Sequence, residues 1–202
     1  NYYWTGSGWV ATSSWNVVSG TSPWTYSQLP AWAEGAPYIS SAQAVDKAAN
    51  LSAGSGIAVS SFTFDANAPV STVTAPTEGQ PLNSLPTISG TVSDLVAGNE
   101  RGVNLQELEL TYVQGASTYY WDGGAFTTTV VSNWPDATLG ASSVTWSYTG
   151  IAWVSDQRYR IRTKATDKSL PGGRVETPPA LGLGRTFIYD VSPPTSAVTS
   201  PA

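Results

Sequence analysis

The segment YYWDGGAF at residues 119–126, continued by TWSYTGIAW at 145–153, decides the fold because it occurs twice in the chain. The first copy opens with YYW at residues 2–4. All nine tryptophans fall at five equivalent positions of the two copies, which are Trp4/Trp121, Trp9/Phe126, Trp15/Trp134, Trp24/Trp146 and Trp32/Trp153. We therefore expect a tandem repeat, with the chain beginning inside one copy.

The repeat continues beyond the aromatic segment. Later landmarks recur in the same order, namely Tyr38/Tyr159, Asp46/Asp167 and Phe62/Phe187. DANAPVSTVTAP at 65–76 recurs as DVSPPTSAVTSP at 190–201. The period of about 125 residues suits an independent domain. We predict the C-terminal part of one repeat at 1–64, a complete repeat at 65–189 and the first strand of the next at 190–202.

Composition limits the classes of function. Charged residues make up 11% of the chain, well below the roughly 25% of ordinary globular domains. The net charge is −5 without a basic cluster, which argues against nucleic-acid binding. The chain lacks Cys and His, and with them thiolate metal sites and the commonest general base. No apolar run is long enough to predict a membrane span. We expect a β-rich extracellular protein.

Short alternating runs separated by turn residues predict β-strands rather than helices. The predicted strands of the complete repeat lie near 70–75, 86–93, 105–113, 117–122, 125–132, 143–149, 157–166 and 185–190. Eight short strands at this spacing predict a β-sandwich.

Two of these strands alternate apolar and charged residues. Glu107 and Glu109 alternate with apolar residues in one strand. A basic row alternates with Tyr159, Ile161, Thr163 and Ala165 in another, and it consists of Arg158, Arg160, Arg162 and Lys164. If the strands are neighbours, their apolar faces meet the core and the acidic row faces the basic row across the pair.

Four motifs together resemble the bacterial immunoglobulin-like domains found in long tandem arrays of very large secreted or surface proteins. They are the opening DxxxPxSxVTxP at 65–76, PTISGTVSD at 86–94, RIRTKATDKS at 160–169 and GRTFIYD at 184–190. The resemblance implies an all-β fold of tandem immunoglobulin-like β-sandwich domains, one complete and two partial. It also implies a role as a stalk, an adhesin or a fibre. Unlike antibody domains, this chain has no Cys pair.

Oxygen-bearing side chains lie in segments that meet at one end of such a sandwich. Asp65 and Asn67 begin the first strand, Asp94 and Glu100 belong to the loop after the second, and Asp167 begins a later loop. These are hard ligands of the kind that Ca²⁺ prefers. One interpretation is therefore a calcium site at the junction with the preceding repeat. In the alternative interpretation, Asp94 and Asp167 cap turns by binding local backbone N–H groups.

The dense tryptophans and tyrosines also have two interpretations. They could stack on sugar rings, or they could pack the core and the hairpins. Recurrence at fixed positions favours packing, because scaffold positions must recur in every repeat. Trp9 and Phe126, at the hairpin tips, are the best candidates for contact with a neighbouring repeat or partner.

No residue pattern predicts an active site. Without His or Cys, only carboxylate chemistry is left, and no convergent carboxylate pair is evident. We expect a non-catalytic structural segment of an extracellular fibre or cell-surface stalk. Its partners would be neighbouring repeats or other copies of itself. The alternative is a glycan-binding adhesin module that uses exposed Trp and Tyr on surface glycans.

Overall fold

The computed structural model describes residues 1–96, 99–100, 102–132, 134–142 and 144–198, without the side chains of Ser55 and of 95–100. The chain divides into two compact units, Asn1–Phe64 and Asp65–Ala202. The fold is all-β, as predicted, and the described residues include one helical turn, at Gly54–Gly56. Within the described residues, no helix has the length and hydropathy that crossing a membrane requires.

The first unit consists of three antiparallel hairpins, each a separate two-stranded sheet. Their strands are β1 (Tyr3–Trp4), β2 (Trp9–Val10), β3 (Ser19–Gly20), β4 (Trp24–Thr25), β5 (Pro37–Ala42) and β6 (Ala58–Thr63). The longest hairpin pairs β5 with β6 and places Tyr38 opposite Phe62.

The second unit contains two larger sheets and a short hairpin. Its strands are β7 (Val70–Ala75), β8 (Pro81–Leu82), β9 (Thr87–Ser93), β10 (Leu95–Val96), β11 (Asn99–Glu100), β12 (Val103–Gln114), β13 (Ser117–Trp121), β14 (Phe126–Thr127), β15 (Thr138–Leu139), β16 (Thr145–Thr149), β17 (Gln157–Asp167) and β18 (Arg185–Tyr189). One sheet has the order β14-β13-β12-β17-β18-β8, and the other has the order β15-β16-β9-β7. Only β8 and β18 pair in parallel among the described strands.

All eight predicted strands have counterparts, but the strand predicted at 125–132 is confined to Phe126–Thr127. After these two residues the chain leaves the sheet edge and carries Trp134 to the outer face of β17. There the Trp134 ring lies 5.1 Å from the Arg162 guanidinium carbon. The strands β8, β10, β11 and β15 have two residues each, too few for an alternating pattern of apolar and polar residues to predict them.

The core of the second unit lies where apolar faces of both sheets are buried, an arrangement compatible with a β-sandwich. Its largest fully buried side chains are Trp121, Trp146, Tyr159, Phe187, Ile88, Leu108, Leu110 and Ile161. The indole N–H of Trp121, on β13, donates to the Tyr148 hydroxyl, on β16, over 2.8 Å. This bond joins the six-stranded sheet to the four-stranded one.

The predicted pairing of the acidic and basic rows is confirmed. Glu107 lies opposite Lys164, and Glu109 lies opposite Arg162, across the antiparallel β12–β17 pair. Arg162 Nε donates to Glu109 Oε2 at 2.5 Å and Arg162 Nη2 donates to Glu109 Oε1 at 2.7 Å, and both residues are buried. Arg160 lies in the same row, but its partner across the pair is Thr111 rather than an acid, and Arg158 lies beyond the residues that pair with β12.

Equivalent aromatic residues have the same geometry in both units. In each unit a tyrosine ring stacks on a phenylalanine ring, and a tryptophan ring packs edge-on against both. The three residues are Trp32, Tyr38 and Phe62 in the first unit and Trp153, Tyr159 and Phe187 in the second. The ring centroids are 4.6–5.6 Å apart in the first unit and 4.9–5.4 Å apart in the second. In both units the tyrosine hydroxyl also accepts the N–H of the residue after the tryptophan. The repeat seen in the sequence is therefore also a repeat of packing.

Gly90 makes the packing of Trp146 possible. The two residues are direct partners across β9 and β16. A Cβ added at Gly90 would lie 1.9 Å from the Thr72 carbonyl oxygen and 2.5 Å from the Trp146 ring. Real Cβ atoms do not approach this closely, so only glycine fits between β7 and the indole.

Gly90→Ala should lower the free energy of unfolding by about 1–3 kcal/mol or more, because Trp146 or β7 must shift. Urea unfolding of the second unit, followed by fluorescence, measures the loss. Gly124→Ala is the matched control, since the nearest atom to its added Cβ is 3.7 Å away. Equal stability of the two variants would contradict the packing argument.

Candidate metal centre

Three carboxylates converge at one end of the second unit. Asp65, Asp94 and Asp167 each offer an oxygen, and these oxygens all lie within 4.8 Å of one another. Asp94 and Asp167 are buried, at 2% and 1% exposure, and Asp65 is half-buried. These are three of the five predicted ligands.

Strand pairing explains why residues so distant in sequence meet. Asp94 directly follows β9, and the pairing of Val70 with Ser93 places the start of β7 beside that end. The segment from Asp65 into β7 therefore begins near Asp94. Asp167 is the last residue of β17 and lies opposite Val103, at the start of β12. Strand ends from both sheets thus supply the cluster.

The two carboxylate oxygens of Asp167 differ in their hydrogen bonding. Its Oδ1 accepts the backbone N–H groups of Ser169 and Arg174, each at 2.8 Å, and the Ser169 hydroxyl at 2.6 Å. Its Oδ2 is buried and has no hydrogen-bond partner among the described residues. A buried charged oxygen without a partner is costly. A bound cation would remove that cost.

Mutual repulsion also favours a cation. At an effective dielectric constant of about 20, two carboxylates separated by about 4–5 Å repel by roughly 3–4 kcal/mol. Here three such pairs form within 4.8 Å, and two of the three side chains are buried. A divalent cation between them adds an attraction to each carboxylate, which offsets these repulsions.

The donor set fits Ca²⁺. Calcium takes six to eight oxygens at about 2.3–2.6 Å, so ligands on opposite sides of the ion are about 5 Å apart. The 4.8 Å limit of the cluster falls within that span. Each of the three carboxylates offers one oxygen to the cluster and no softer donor, and water would complete the shell that calcium requires.

The other two predicted ligands are not shown at the site. Asn67 is exposed, and its backbone N–H donates to Asp65 Oδ1 over 3.3 Å, which shapes the turn at the start of the unit. The side chain of Glu100 lies outside the described part of the chain.

The turn-capping interpretation also holds for Asp167, because Oδ1 organises the loop that follows it. The equivalent residue of the first unit does the same: Asp46 Oδ1 accepts the N–H groups of Ala48 and Asn50, each at 2.8 Å. Hydrogen bonds from Asn50 lower the pKa of Asp46. Turn capping therefore recurs in both units and does not compete with cation binding through Oδ2.

Glu176 anchors the far end of the loop that begins at Asp167, and no sequence pattern singled it out. Its carboxylate accepts the Ser71 N–H at 2.9 Å, the Ser71 hydroxyl at 2.6 Å and the Ala165 N–H at 3.0 Å. It thus links β7 of one sheet to β17 of the other. The only signal in the sequence is a lone acid in a Gly/Pro-rich loop, which is far too common to predict such a role.

The two predicted contact residues have different environments. Trp9 is 41% exposed, and its ring contacts Trp4 and Tyr38. Phe126 is half-buried against the rings of Tyr112, Trp121 and Tyr159. Contact of either residue with a partner stays a prediction.

The chain was compared with models of known families, with curated proteins and with solved structures, and none of the three comparisons found a match.

Calcium should raise the melting temperature of the chelator-treated chain. At a concentration about 100 times the Kd, binding adds about 2.7 kcal/mol, equivalent to roughly 5–15 °C for a unit of this size. Calorimetry with and without Ca²⁺ measures the shift. Asp65→Asn and Asp94→Asn should abolish most of it.

Asp190→Asn is the matched control for the calcium experiment, because Asp190 caps the Ser192 N–H outside the cluster. This variant should keep the full calcium shift. An equal shift in all variants, or no shift in the unmodified chain, would contradict the site.

Glu176 should give stability a distinctive pH dependence. Burial raises the pKa of Glu176 above its ordinary 4.5, and the bonds from Ser71 and Ala165 only partly offset this. A raised folded pKa means that the stabilising contribution is complete below the unfolded pKa and is lost as the pH rises through the folded pKa. The unmodified chain should therefore lose stability relative to Glu176→Gln as the pH rises from about 4 upwards.

Glu78→Gln provides a control of opposite sign. Hydrogen bonds from Thr186 lower the pKa of Glu78, so the unmodified chain should gain stability relative to this variant as the pH rises. Urea unfolding at a series of pH values compares the two slopes. Slopes of the same sign would refute the assignment for Glu176.

Proposed function

We propose that the chain is a non-catalytic structural segment of an extracellular fibre or cell-surface stalk, built from tandem immunoglobulin-like repeats. The observation that carries the proposal is the recurrence of one aromatic packing unit, with the same ring geometry, in residues 1–64 and again after Asp65. Tandem copies of one scaffold are typical of proteins that span distance.

The strand order of the second unit supports the immunoglobulin-like assignment. Its four-stranded sheet, β7-β9-β16-β15, corresponds to the A-B-E-D sheet of that fold. Its larger sheet contains β13-β12-β17-β18, which correspond to C′-C-F-G. The next repeat is predicted to start at Asp190. Residues 190–198 form no strand, and 199–202 are not among the described residues.

Calcium would give such a stalk its stiffness. Asp65 is the first residue of the second unit, and Asp94 and Asp167 belong to the body of that unit. A cation shared by the three residues would fix the direction in which the chain enters the repeat. Pro69 restricts the same entry segment, because proline fixes its own φ and keeps the preceding residue extended. In this proposal the function is mechanical.

The glycan-binding alternative has one observation in its favour. Trp15 and Trp24 of the first unit are 52% and 48% exposed, as a sugar-stacking surface requires. However, the residue equivalent to Trp24 is Trp146, which is 2% exposed in the second unit. Exposure at this position therefore differs between copies of one scaffold, which favours a packing role over a binding site.

Antibodies raised against the 202-residue chain test the proposal on native material. Gold label on extracellular fibres or stalks, at intervals of one or more repeat lengths, is the expected result. Label confined to the cell interior would refute the proposal. A glycan array probed with the same chain should give no signal, and a signal lost on Trp15→Ala or Trp24→Ala would establish the adhesin alternative.

A further inference from the structure

The segment that leaves the second unit, residues 190–195, stays hydrogen-bonded after the last strand has ended. Strand β18 ends at Tyr189, yet the backbone N–H groups of the next three residues all have acceptors. These bonds run from Asp190 to the Leu82 carbonyl at 2.8 Å, from Val191 to Ser155 Oγ at 3.0 Å and from Ser192 to Asp190 Oδ1 at 2.8 Å. An exposed segment outside a sheet does not require such bonds, because water can supply them.

The Ser192 hydroxyl adds a further bond to the turn that holds Val191. It donates to Asp156 Oδ2 at 2.8 Å. The Ser155 hydroxyl lies 3.3 Å from Ser192 Oγ, and because the single proton of Ser192 goes to Asp156, Ser155 is the donor in this pair. Two adjacent residues of one turn thus hold two adjacent residues of the exit segment.

The turn itself is fixed to the core. The Val154 N–H donates to the Tyr159 hydroxyl at 2.7 Å, and that hydroxyl donates to the Val154 carbonyl at 3.0 Å. Tyr159 is fully buried. Gln157, which follows Asp156, pairs with Tyr189 at the end of β18. The turn therefore has little freedom to move together with the segment that it holds.

Asp156 occupies its place in the turn with a strained backbone. Its φ is +63°, in the left-handed region, where residues other than glycine are uncommon. Gly35 of the first unit precedes Tyr38 by three residues, as Asp156 precedes Tyr159, and its φ is +73°. The turn therefore requires this conformation, and glycine would satisfy it. A glycine would have no carboxylate to accept the Ser192 hydroxyl, and a strained residue that supplies such a group points to a function.

Two prolines directly follow the bonded residues. Pro193 and Pro194 have a φ fixed near −65° and no N–H, and each biases the residue before it to an extended backbone. The direction set at Ser192 is therefore carried on through Pro194 without support from a strand.

We propose that the turn at 154–157 is a clamp that fixes the direction in which the chain leaves the second unit. Ser155 and Asp156 are its acceptors, and Val191 and Ser192 are the residues held. Its importance for a stalk rests on the mechanical function proposed above, whereas the clamp itself is a property of the second unit alone. Calcium at Asp65 would act on the entry to the unit; the clamp acts on the exit and needs no ion.

Distances between two nitroxide labels test the clamp. The chain has no Cys, so Val113→Cys and Thr195→Cys introduce the only two labelling sites, and both positions are exposed. In the otherwise unmodified chain, pulsed electron paramagnetic resonance should give one narrow distribution of distances. Asp156→Gly and Ser192→Ala should each widen this distribution by about twofold or more and speed the amide exchange of Val191 by about tenfold, because the exit segment then opens locally.

Two control variants separate the clamp from general effects. Asp156→Asn keeps an acceptor oxygen and tolerates the left-handed backbone. Ser196→Ala removes a hydroxyl that has no hydrogen bond to the described residues. Both should keep the narrow distribution. Asp156→Gly should melt no lower than the unmodified chain, since glycine suits the φ of this position.

Two results would overturn the proposal. One is a broad distribution of distances in the unmodified chain. The other is a distribution that stays equally narrow with Asp156→Gly and Ser192→Ala. Neither result depends on the antibody labelling of fibres, so failure of the clamp and failure of the proposed function are distinguishable.

Discussion

The antiparallel pairing of β12 with β17 is the constraint on which the rest of the second unit depends. It directs one row of side chains, Leu108 and Ile161 among them, into the core. The other row meets as opposite charges, with Glu109 held by Arg162 under the Trp134 ring. Because the same strand ends at Asp167, the register that sets the core also places a ligand of the candidate metal centre. Core, charge ladder and site therefore cannot be altered independently.

Tyr159 shows how closely that strand is tied to its surroundings. Its ring contacts four other aromatic rings, and its hydroxyl both donates to and accepts from the backbone of Val154. Burial raises the pKa of Tyr159 to about 12, so the hydroxyl keeps its proton and continues to donate. The first unit repeats this environment around Tyr38 with fewer rings and more solvent.

The sequence could predict what depends on alternation and repetition. The eight main strands, the facing of Glu107 and Glu109 towards a basic row, and the convergence of Asp65, Asp94 and Asp167 all follow from strand period and fold resemblance. It could not predict Glu176, since a carboxylate that accepts from two strands is defined only by tertiary packing. Nor could it predict that β14 ends at Thr127, or that Trp134 lies over the Arg162 guanidinium. Short-range patterns predict strands, but not which side chains from other segments pack against them.

The three carboxylates of the candidate centre come from widely separated parts of the repeat, at positions 65, 94 and 167. No shorter stretch of the chain contains all of them, so the cluster exists only once the strands from β7 to β17 have paired. Strand β18 follows Asp167 and contributes none of the three carboxylates. If the proposed ion binds, it therefore reports that the two sheets have joined, before the last strand of the unit needs to be in place.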